Sequence, residues 1–76
     1  MKESCIIFGG AGFIGSHIAE DLLNNGIRVT VFDKLNASKK NVEHILDEID
    51  FIEGDFNNEV DISKALKGKD HVVHLV

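Results

Sequence analysis

Three glycines near the amino terminus are spaced for contact with a phosphate group. Gly9, Gly12 and Gly15 follow an apolar stretch and open a segment with helical periodicity. Gly9 permits a sharp turn, Gly12 lets the backbone approach a ligand closely, and Gly15 lets the helix pack tightly. The N–H groups of Phe13 and Ile14, at the helix start, are placed to donate hydrogen bonds to an anion. The chemistry that this spacing predicts is the binding of a pyrophosphate.

An acidic residue, Asp33, ends the next apolar stretch, roughly 20 residues beyond the glycine-rich turn. A carboxylate at this position accepts hydrogen bonds from the hydroxyl groups of a ribose and repels a 2′-phosphate, so the cofactor NAD is favoured over NADP. Lys34 follows directly and would soften that preference if it reached the ribose. The alternatives are a glycine-rich turn without a ligand, a solvated carboxylate at Asp33 and a solvated lysine at Lys34.

Four short apolar, β-branched stretches supply the predicted strands, at residues 4–8, 27–32, 50–53 and 71–76. Segments with helical spacing separate them, so the strands cannot pair as hairpins and the sheet is expected to be parallel. The order βαβαβαβ predicts an α/β, Rossmann-like fold with helices on both faces and the strand order 3-2-1-4. Residues 1–76 then form the N-terminal portion of an NAD(P)-binding domain.

The predicted helices have recognisable ends. The first helix stops at Asn24-Asn25-Gly26, a typical carboxyl-terminal signal. The second takes Asn36 or Ser38 as its N-cap, and the third starts near Asn57 or Asn58 and stops before Gly68. Their apolar stripes are Ile14, Ile18, Ala19, Leu22 and Leu23, then Val42, Ile45, Leu46 and Ile49, then Ile62, Ala65 and Leu66.

Composition narrows the class of protein. A chain of 76 residues with 43% apolar residues and a net charge of −5 is expected to be one folded domain, with neither nucleic acid nor an anionic membrane as its main partner. The lone Cys5 lies in an apolar stretch, which predicts a buried thiol in a reducing compartment. No apolar stretch approaches the roughly 18 residues of a membrane helix, and the N-terminus has no signal-peptide pattern, so a cytoplasmic location is expected.

Other kinds of site fit the sequence poorly. His71 and His74 are three apart on a strand, so they point to opposite faces and cannot share a metal ion. The acidic residues Asp47, Glu48 and Asp50 are interpreted as a solvated surface. No Gly-Lys-Ser/Thr sequence follows the glycines, which excludes a Walker-type nucleotide site. Neither a metal nor a catalytic residue is predicted.

The stretch from Phe8 to His17, Phe-Gly-Gly-Ala-Gly-Phe-Ile-Gly-Ser-His, resembles the N-terminus of the extended short-chain dehydrogenases/reductases, particularly the NAD-dependent sugar-nucleotide epimerases and dehydratases. The resemblance continues through residues 31–36, 51–56 and 67–75 and covers essentially the whole chain. It implies oxidation of a sugar hydroxyl by hydride transfer to NAD in a complete enzyme. It also implies a set of cofactor-binding residues: Gly9, Gly12, Phe13, Ile14 and Gly15 for the pyrophosphate, Asp33 and Asn36 for the ribose, Asp55 and Phe56 for the adenine, and Leu75 beside the cofactor.

The sequence departs from this family pattern in three respects. Phe8 replaces the usual Thr or Ser, and Leu75-Val76 replaces a run of small residues. The sequence has no tyrosine, so the family's Tyr-x-x-x-Lys pair is absent and the chain is expected to be catalytically incomplete. For Phe56 and Leu75, plain core packing is the alternative to a binding role.

Three functions are therefore compatible with the sequence. They are the NAD-binding part of a sugar-nucleotide epimerase or dehydratase, a standalone adenine-nucleotide binding module, and a structural module with a vestigial site. The last predicted strand lies at a sheet edge and is apolar, which predicts self-association through residues 71–76.

Overall fold

The computed structural model describes residues 2–76, which form one parallel sheet of four strands. The strands lie in the spatial order β3-β2-β1-β4, as predicted. All three neighbouring pairs are parallel. The strands are Ser4–Phe8 (β1), Arg28–Lys34 (β2), Asp50–Gly54 (β3) and His71–His74 (β4).

Both α-helices end as their sequences predict. Helix α1 spans Phe13–Asn24 and is followed by Gly26 at φ 75°. Helix α2 spans Glu59–Leu66, is capped by the side chain of Asn58 and is followed by Gly68 at φ 77°. None of the helices formed by residues 2–76 is long and apolar enough to cross a membrane.

The segment between β2 and β3 is a 3-10 helix, Lys40–Glu48, and not the α-helix that an amphipathic pattern suggests. Its two buried residues, Val42 and Ile45, are three positions apart. In a 3-10 helix such residues lie directly above one another, so both face the sheet. Spacing of three residues occurs on one face of an α-helix as well, which is why the sequence pattern does not separate the two.

The predicted N-caps of this segment are both wrong, since Lys39 holds the N-cap position. Ser38 lies one residue before this N-cap, and its hydroxyl accepts a hydrogen bond from the N–H of Lys40 at 3.3 Å. Asn36 has a left-handed conformation at φ 63° and belongs to the preceding turn.

Alternating side chains along the strands build a core on each face of the sheet. The first core lies under α1 and the 3-10 helix, and the second lies under α2. The first contains Cys5, Ile7, Ala11, Ala19, Val29, Val31, Val42, Ile45 and Ile49. The second contains Ile6, Phe8, Phe32 and Ala65, with Ile52, Phe56 and Ile62 packed against them.

Three strands differ from their predicted bounds, β3 by the single additional residue Gly54. Strand β2 continues through Lys34, so that Asp33 is part of the sheet. Strand β4 stops at His74, because its neighbour β1 ends where Gly9 turns the chain at φ 83°. The N–H of Leu75 donates to the carbonyl oxygen of Phe8 at 3.0 Å, just beyond the end of β4.

Candidate functional site

The turn between β1 and α1 leaves the start of the helix open. Gly12 is the N-cap, and the N–H of Ser16 makes the first helical hydrogen bond, to the Gly12 oxygen at 2.9 Å. The N–H groups of residues 13–15 therefore precede the hydrogen-bonded ladder. Among residues 2–76, no side chain caps this helix, and its first turn contains no acidic residue. The partial positive charge of the helix is available there to an anion.

The space above this turn is also open. A Cβ placed on Gly12 would meet just the Gly9 oxygen, at an ordinary contact distance of 3.6 Å. The side chains of Phe13 and Ile14 are 69% and 66% exposed. The backbone of the turn is thus accessible to a ligand of the size of a phosphate group.

A second glycine of the turn, Gly10, has a role that the sequence interpretation missed. A Cβ on Gly15 would lie 2.5 Å from the Gly10 Cα, and a Cβ on Gly10 would lie 2.9 Å from a methyl group of Val31. The helix start therefore contacts the backbone of the turn, and the turn contacts β2. The adjacent pair Gly9-Gly10 was the available signal.

The Asp33 carboxylate connects the end of β2 to the glycine turn. One oxygen accepts a hydrogen bond from the N–H of Ala11 at 3.1 Å, and the other from the N–H of Lys34 at 2.8 Å. Asp33 is half-buried, so it is not a freely solvated loop residue. Each oxygen has a second lone pair, so the carboxylate can still accept from hydroxyl groups.

Asn36 lies in the turn beyond β2, and its N–H donates to the Glu53 carboxylate at 3.2 Å. The other oxygen of Glu53 lies 3.0 Å from the Lys39 ammonium group. The hydrogen bond and charge of Lys39, together with the N–H of Asn36, hold the pKa of Glu53 below its ordinary value. Neither Glu53 nor Lys39 was predicted as a site residue, because Lys39 precedes the 3-10 helix and Glu53 lies on β3, and no sequence pattern links the two positions.

Asp55 and Phe56 follow β3 and line an open depression of 370 Å³ with Lys34, Leu35, Gly54 and Asn57. Asp55 is exposed and accepts a hydrogen bond from the N–H of Asn57 at 2.8 Å. The Phe56 ring lies 5.3 Å from the Phe32 ring and 6.5 Å from the Phe8 ring, centroid to centroid. The ring of Phe56 is therefore part of the second core.

Leu75 follows β4 and lies against the glycine turn. A Cβ on Gly9 would be 3.6 Å from the Leu75 Cβ. The Leu75 side chain is 41% exposed, so it retains surface for a further contact.

Every site residue predicted from the sequence thus lies at the carboxyl edge of the sheet. The glycine turn follows β1, a central strand. Asp33 and Asn36 lie at the end of the neighbouring strand β2, and Leu75 follows β4 on the other side. The chain reverses its strand order beside β1, and in open α/β sheets ligands bind at such a reversal. Asp55 and Phe56 lie one strand further out, at the end of β3.

His71, His74 and Cys5 are further side chains that the sequence singles out. His71 pairs with Cys5 in register and His74 with Phe8, so the two histidines project from opposite faces. In the part of the chain that the structure describes, no group of three His, Cys, Asp or Glu residues is arranged to hold a metal ion. Cys5 is buried, and desolvation raises the pKa of its thiol.

Comparison with known proteins gives concordant results. The model of the NAD dependent epimerase/dehydratase family matches residues 5–76. A bifunctional UDP-glucose 4-epimerase and UDP-xylose 4-epimerase 3 of Arabidopsis thaliana is 34% identical, over 97% of this chain and 24% of that protein.

Two solved structures share this fold. The UDP-glucose 4-epimerase of Thermus thermophilus, in complex with NAD, has a TM-score of 0.80 and 36% identity, over 96% of this chain and 24% of that one. The dTDP-glucose 4,6-dehydratase of Bacillus anthracis, in complex with NAD, has a TM-score of 0.83 and 27% identity, over 97% of this chain and 26% of that one. The chain spans about a quarter of these three proteins. The family model matches nearly the whole chain, including the glycine turn and the acidic residue at the end of β2. The chain therefore belongs to the NAD dependent epimerase/dehydratase family.

Proposed function

We propose that this chain binds NAD through the adenosine diphosphate half of the cofactor and forms the cofactor-anchoring part of a sugar-nucleotide epimerase or dehydratase. The observation that carries the proposal is the meeting of two groups at one edge of the sheet. These are the uncapped start of α1 at Gly12 and the Asp33 carboxylate bonded to Ala11. The first suits a pyrophosphate and the second a ribose.

The individual roles follow from where each group lies. The N–H groups of the turn and of the helix start contact the pyrophosphate, and the carboxylate at the end of β2 accepts from the ribose hydroxyls. The groups after β3 bind the adenine, where Phe56 offers its backbone because its ring is packed in the core. The proposed binding residues are Gly9, Gly12, Phe13, Ile14, Gly15, Asp33, Asn36, Asp55, Phe56 and Leu75.

The proposal assigns anchoring to these residues and leaves proton transfer to other groups. NAD, when bound, supplies a hydride acceptor for a sugar hydroxyl. The sequence contains no tyrosine, so the general acid/base that the family resemblance implies is not among these 76 residues. What the chain itself does is to position the adenosine diphosphate half.

Calorimetric titration of the chain with NAD, ADP and AMP tests the proposal. We expect all three to bind, with AMP weakest because it lacks the second phosphate, and we expect Gly12→Val to abolish binding. The valine fills the space that the pyrophosphate needs, while its Cβ has an ordinary contact distance to the protein. The variant should therefore remain folded, which circular dichroism checks. Flat titrations with folded wild-type protein, or unchanged binding by folded Gly12→Val, would contradict the proposal.

A further inference from the structure

The carboxylate of Glu53 lies in a small anion-binding arrangement beside the proposed ribose position. The Lys39 ammonium group and the Asn36 N–H each contact one of its oxygens, at 3.0 and 3.2 Å. The Lys39 ammonium also lies 4.9 Å from the centre of the Phe51 ring, which fixes the lysine chain against β3. A cation and an N–H group that together hold one carboxylate form the kind of site that also holds a phosphate.

Glu53 is the direct neighbour of Asp33 in the sheet. The two residues are paired in register between the parallel strands β2 and β3. Paired residues on adjacent strands project from the same face, so the two carboxylates stand side by side at the carboxyl edge. Asp33 is held toward the glycine turn by Ala11, whereas Glu53 is held toward the turn that contains Asn36.

The cation of this arrangement is already paired, so it offers no free positive charge to an incoming phosphate. Lys39 is half-exposed, and its charge is neutralised by Glu53. Because the pKa of Glu53 is lowered by Lys39 and by the Asn36 N–H, the carboxylate is ionised at neutral pH. A phosphate on the ribose 2′-oxygen would meet two carboxylates and would have to displace one of them.

We propose that Glu53 contributes to the specificity of the site for NAD over NADP, because its carboxylate occupies the position, and contacts the partners, that a 2′-phosphate would require. The inference rests on the proposed function, since it concerns the same adenosine site. It assigns to Glu53 a share of the preference for NAD over NADP that the sequence alone attributes to Asp33. Lys39 is the cation that becomes available once Glu53 is removed.

The test compares NAD with NADP, which differ by the 2′-phosphate alone, in calorimetric titrations of the 76-residue chain. We expect the wild-type chain to bind NAD at least roughly tenfold more tightly than NADP. Glu53→Ala should reduce that ratio about tenfold by strengthening NADP binding, with NAD binding nearly unchanged. The double variant Glu53→Ala with Lys39→Gln should restore the wild-type ratio.

A matched control separates this effect from a change of net charge. Glu48→Ala removes one carboxylate near Arg28, at the amino end of β2 and thus at the opposite edge of the sheet. It should leave the ratio unchanged. If Glu53→Ala does not fold, Glu53→Gln provides the same comparison, because it keeps the shape and removes the charge.

The outcomes distinguish the inference from the function on which it rests. If folded wild-type protein binds neither cofactor, the proposed function fails and the inference with it. If NAD binds but the ratio is the same in the Glu53 variants, the inference alone is overturned. The inference would also be overturned if Glu48→Ala changed the ratio of NAD to NADP affinity as much as Glu53→Ala does. The same holds if the double variant without Lys39 kept the strengthened binding of NADP.

Discussion

At the scale of single residues, the contact between Gly10 and Gly15 fixes the geometry of the turn. A Cβ on Gly15 would lie 2.5 Å from one backbone atom of Gly10 and 2.8 Å from another. Backbone atoms cannot rotate away as side-chain ends can, so the contact sets how closely α1 approaches the turn. The proposed phosphate-binding N–H groups depend on that approach, since they belong to the first turn of the same helix.

We therefore expect Gly15→Ala to destabilise the protein by about 1–3 kcal/mol, the usual cost of overpacking. Replacing a glycine by alanine within a helix normally raises the stability by up to about 1 kcal/mol. A loss of stability in Gly15→Ala would therefore identify the clash as its cause. Chemical denaturation measures the difference. Gly12→Ala is the control, because its Cβ has no neighbour nearer than 3.6 Å, and its loss should stay within about 1 kcal/mol. Equal stability of Gly15→Ala and wild type would contradict the prediction.

The ion pair of Glu53 has a consequence for the pH dependence of stability. The pKa of Glu53 is lower in the folded chain than its ordinary value, through Lys39 and the Asn36 N–H. Its contribution is therefore present above the ordinary pKa of about 4.3 and is lost as the pH falls through the folded value.

Between about pH 6 and pH 3, we expect the free energy of unfolding to fall more for wild type than for Glu53→Gln, since the amide does not titrate. Urea denaturation at several pH values measures both curves. Glu48→Gln serves as the control and should follow wild type. Parallel curves for wild type and Glu53→Gln would show that the pair has no such effect.

At this scale the sequence predicted the residues that belong to a recognised spacing pattern. The glycines and the acidic residue roughly 20 positions further on form such a pattern, and the structure brings them together at one sheet edge. The hydrogen bond from Ala11 to Asp33 and the pairing of Lys39 with Glu53 join residues of different elements and belong to no such pattern. These contacts follow from the path of the chain between the elements, which composition and periodicity do not specify.

At the scale of elements, the two α-helices begin in opposite ways. The side chain of Asn58 accepts hydrogen bonds from the N–H groups of Val60 and Asp61 at the start of α2. Glu59 and Asp61 add negative charge to the same turn. Helix α1 begins at Gly12 with neither feature. Within residues 2–76, the start of α1 therefore lacks the stabilisation that a side-chain cap supplies, and its N–H groups are accessible.

Substituting an acidic cap into α1 separates stability from binding. In Gly12→Asp the new carboxylate accepts from the first-turn N–H groups, so we expect stability to be kept or raised by up to about 1 kcal/mol. The same carboxylate takes the position of the pyrophosphate, so NAD binding should be lost. Thermal unfolding and calorimetry measure the two effects. Asn58→Asp adds the same charge to the cap of α2 and should leave binding intact. Retained NAD affinity in Gly12→Asp would contradict the assignment of this helix start.

Most elements followed from periodicity and terminal signals, and the exceptions have physical causes. The strand order, the parallel pairing and the ends of α1 and α2 are confirmed. The 3-10 helix was predicted as an α-helix because Val42 and Ile45 have a spacing common to both. Strand β4 was predicted too long, since apolar residues continue to Val76 while the pairing partner ends at Phe8.

At the scale of the whole molecule, the two faces of the sheet are covered unequally. Helix α1 and the nine-residue 3-10 helix cover one face, and the eight-residue α2 covers the other. The second face has an apolar groove lined by Phe8, Phe56, Ile62, Leu66, Val72 and His74. This groove reaches β4, an edge strand that pairs with β1 within residues 2–76. An edge strand that exposes apolar side chains favours pairing with another chain.

We therefore expect self-association through β4 and the residues that follow it. Val72 is 51% exposed on this edge, so pairing of two copies would bury apolar surface and satisfy backbone groups together. Light scattering should show the mass rising above 8.4 kDa with concentration. A lysine on an edge strand opposes such pairing, so Val72→Lys should remain at 8.4 kDa. Val60→Lys makes the same change at a 60% exposed site on α2 and should behave as wild type. A constant mass of 8.4 kDa for wild type up to millimolar concentration would contradict the prediction, and equal loss of association in both variants would place the contact away from β4.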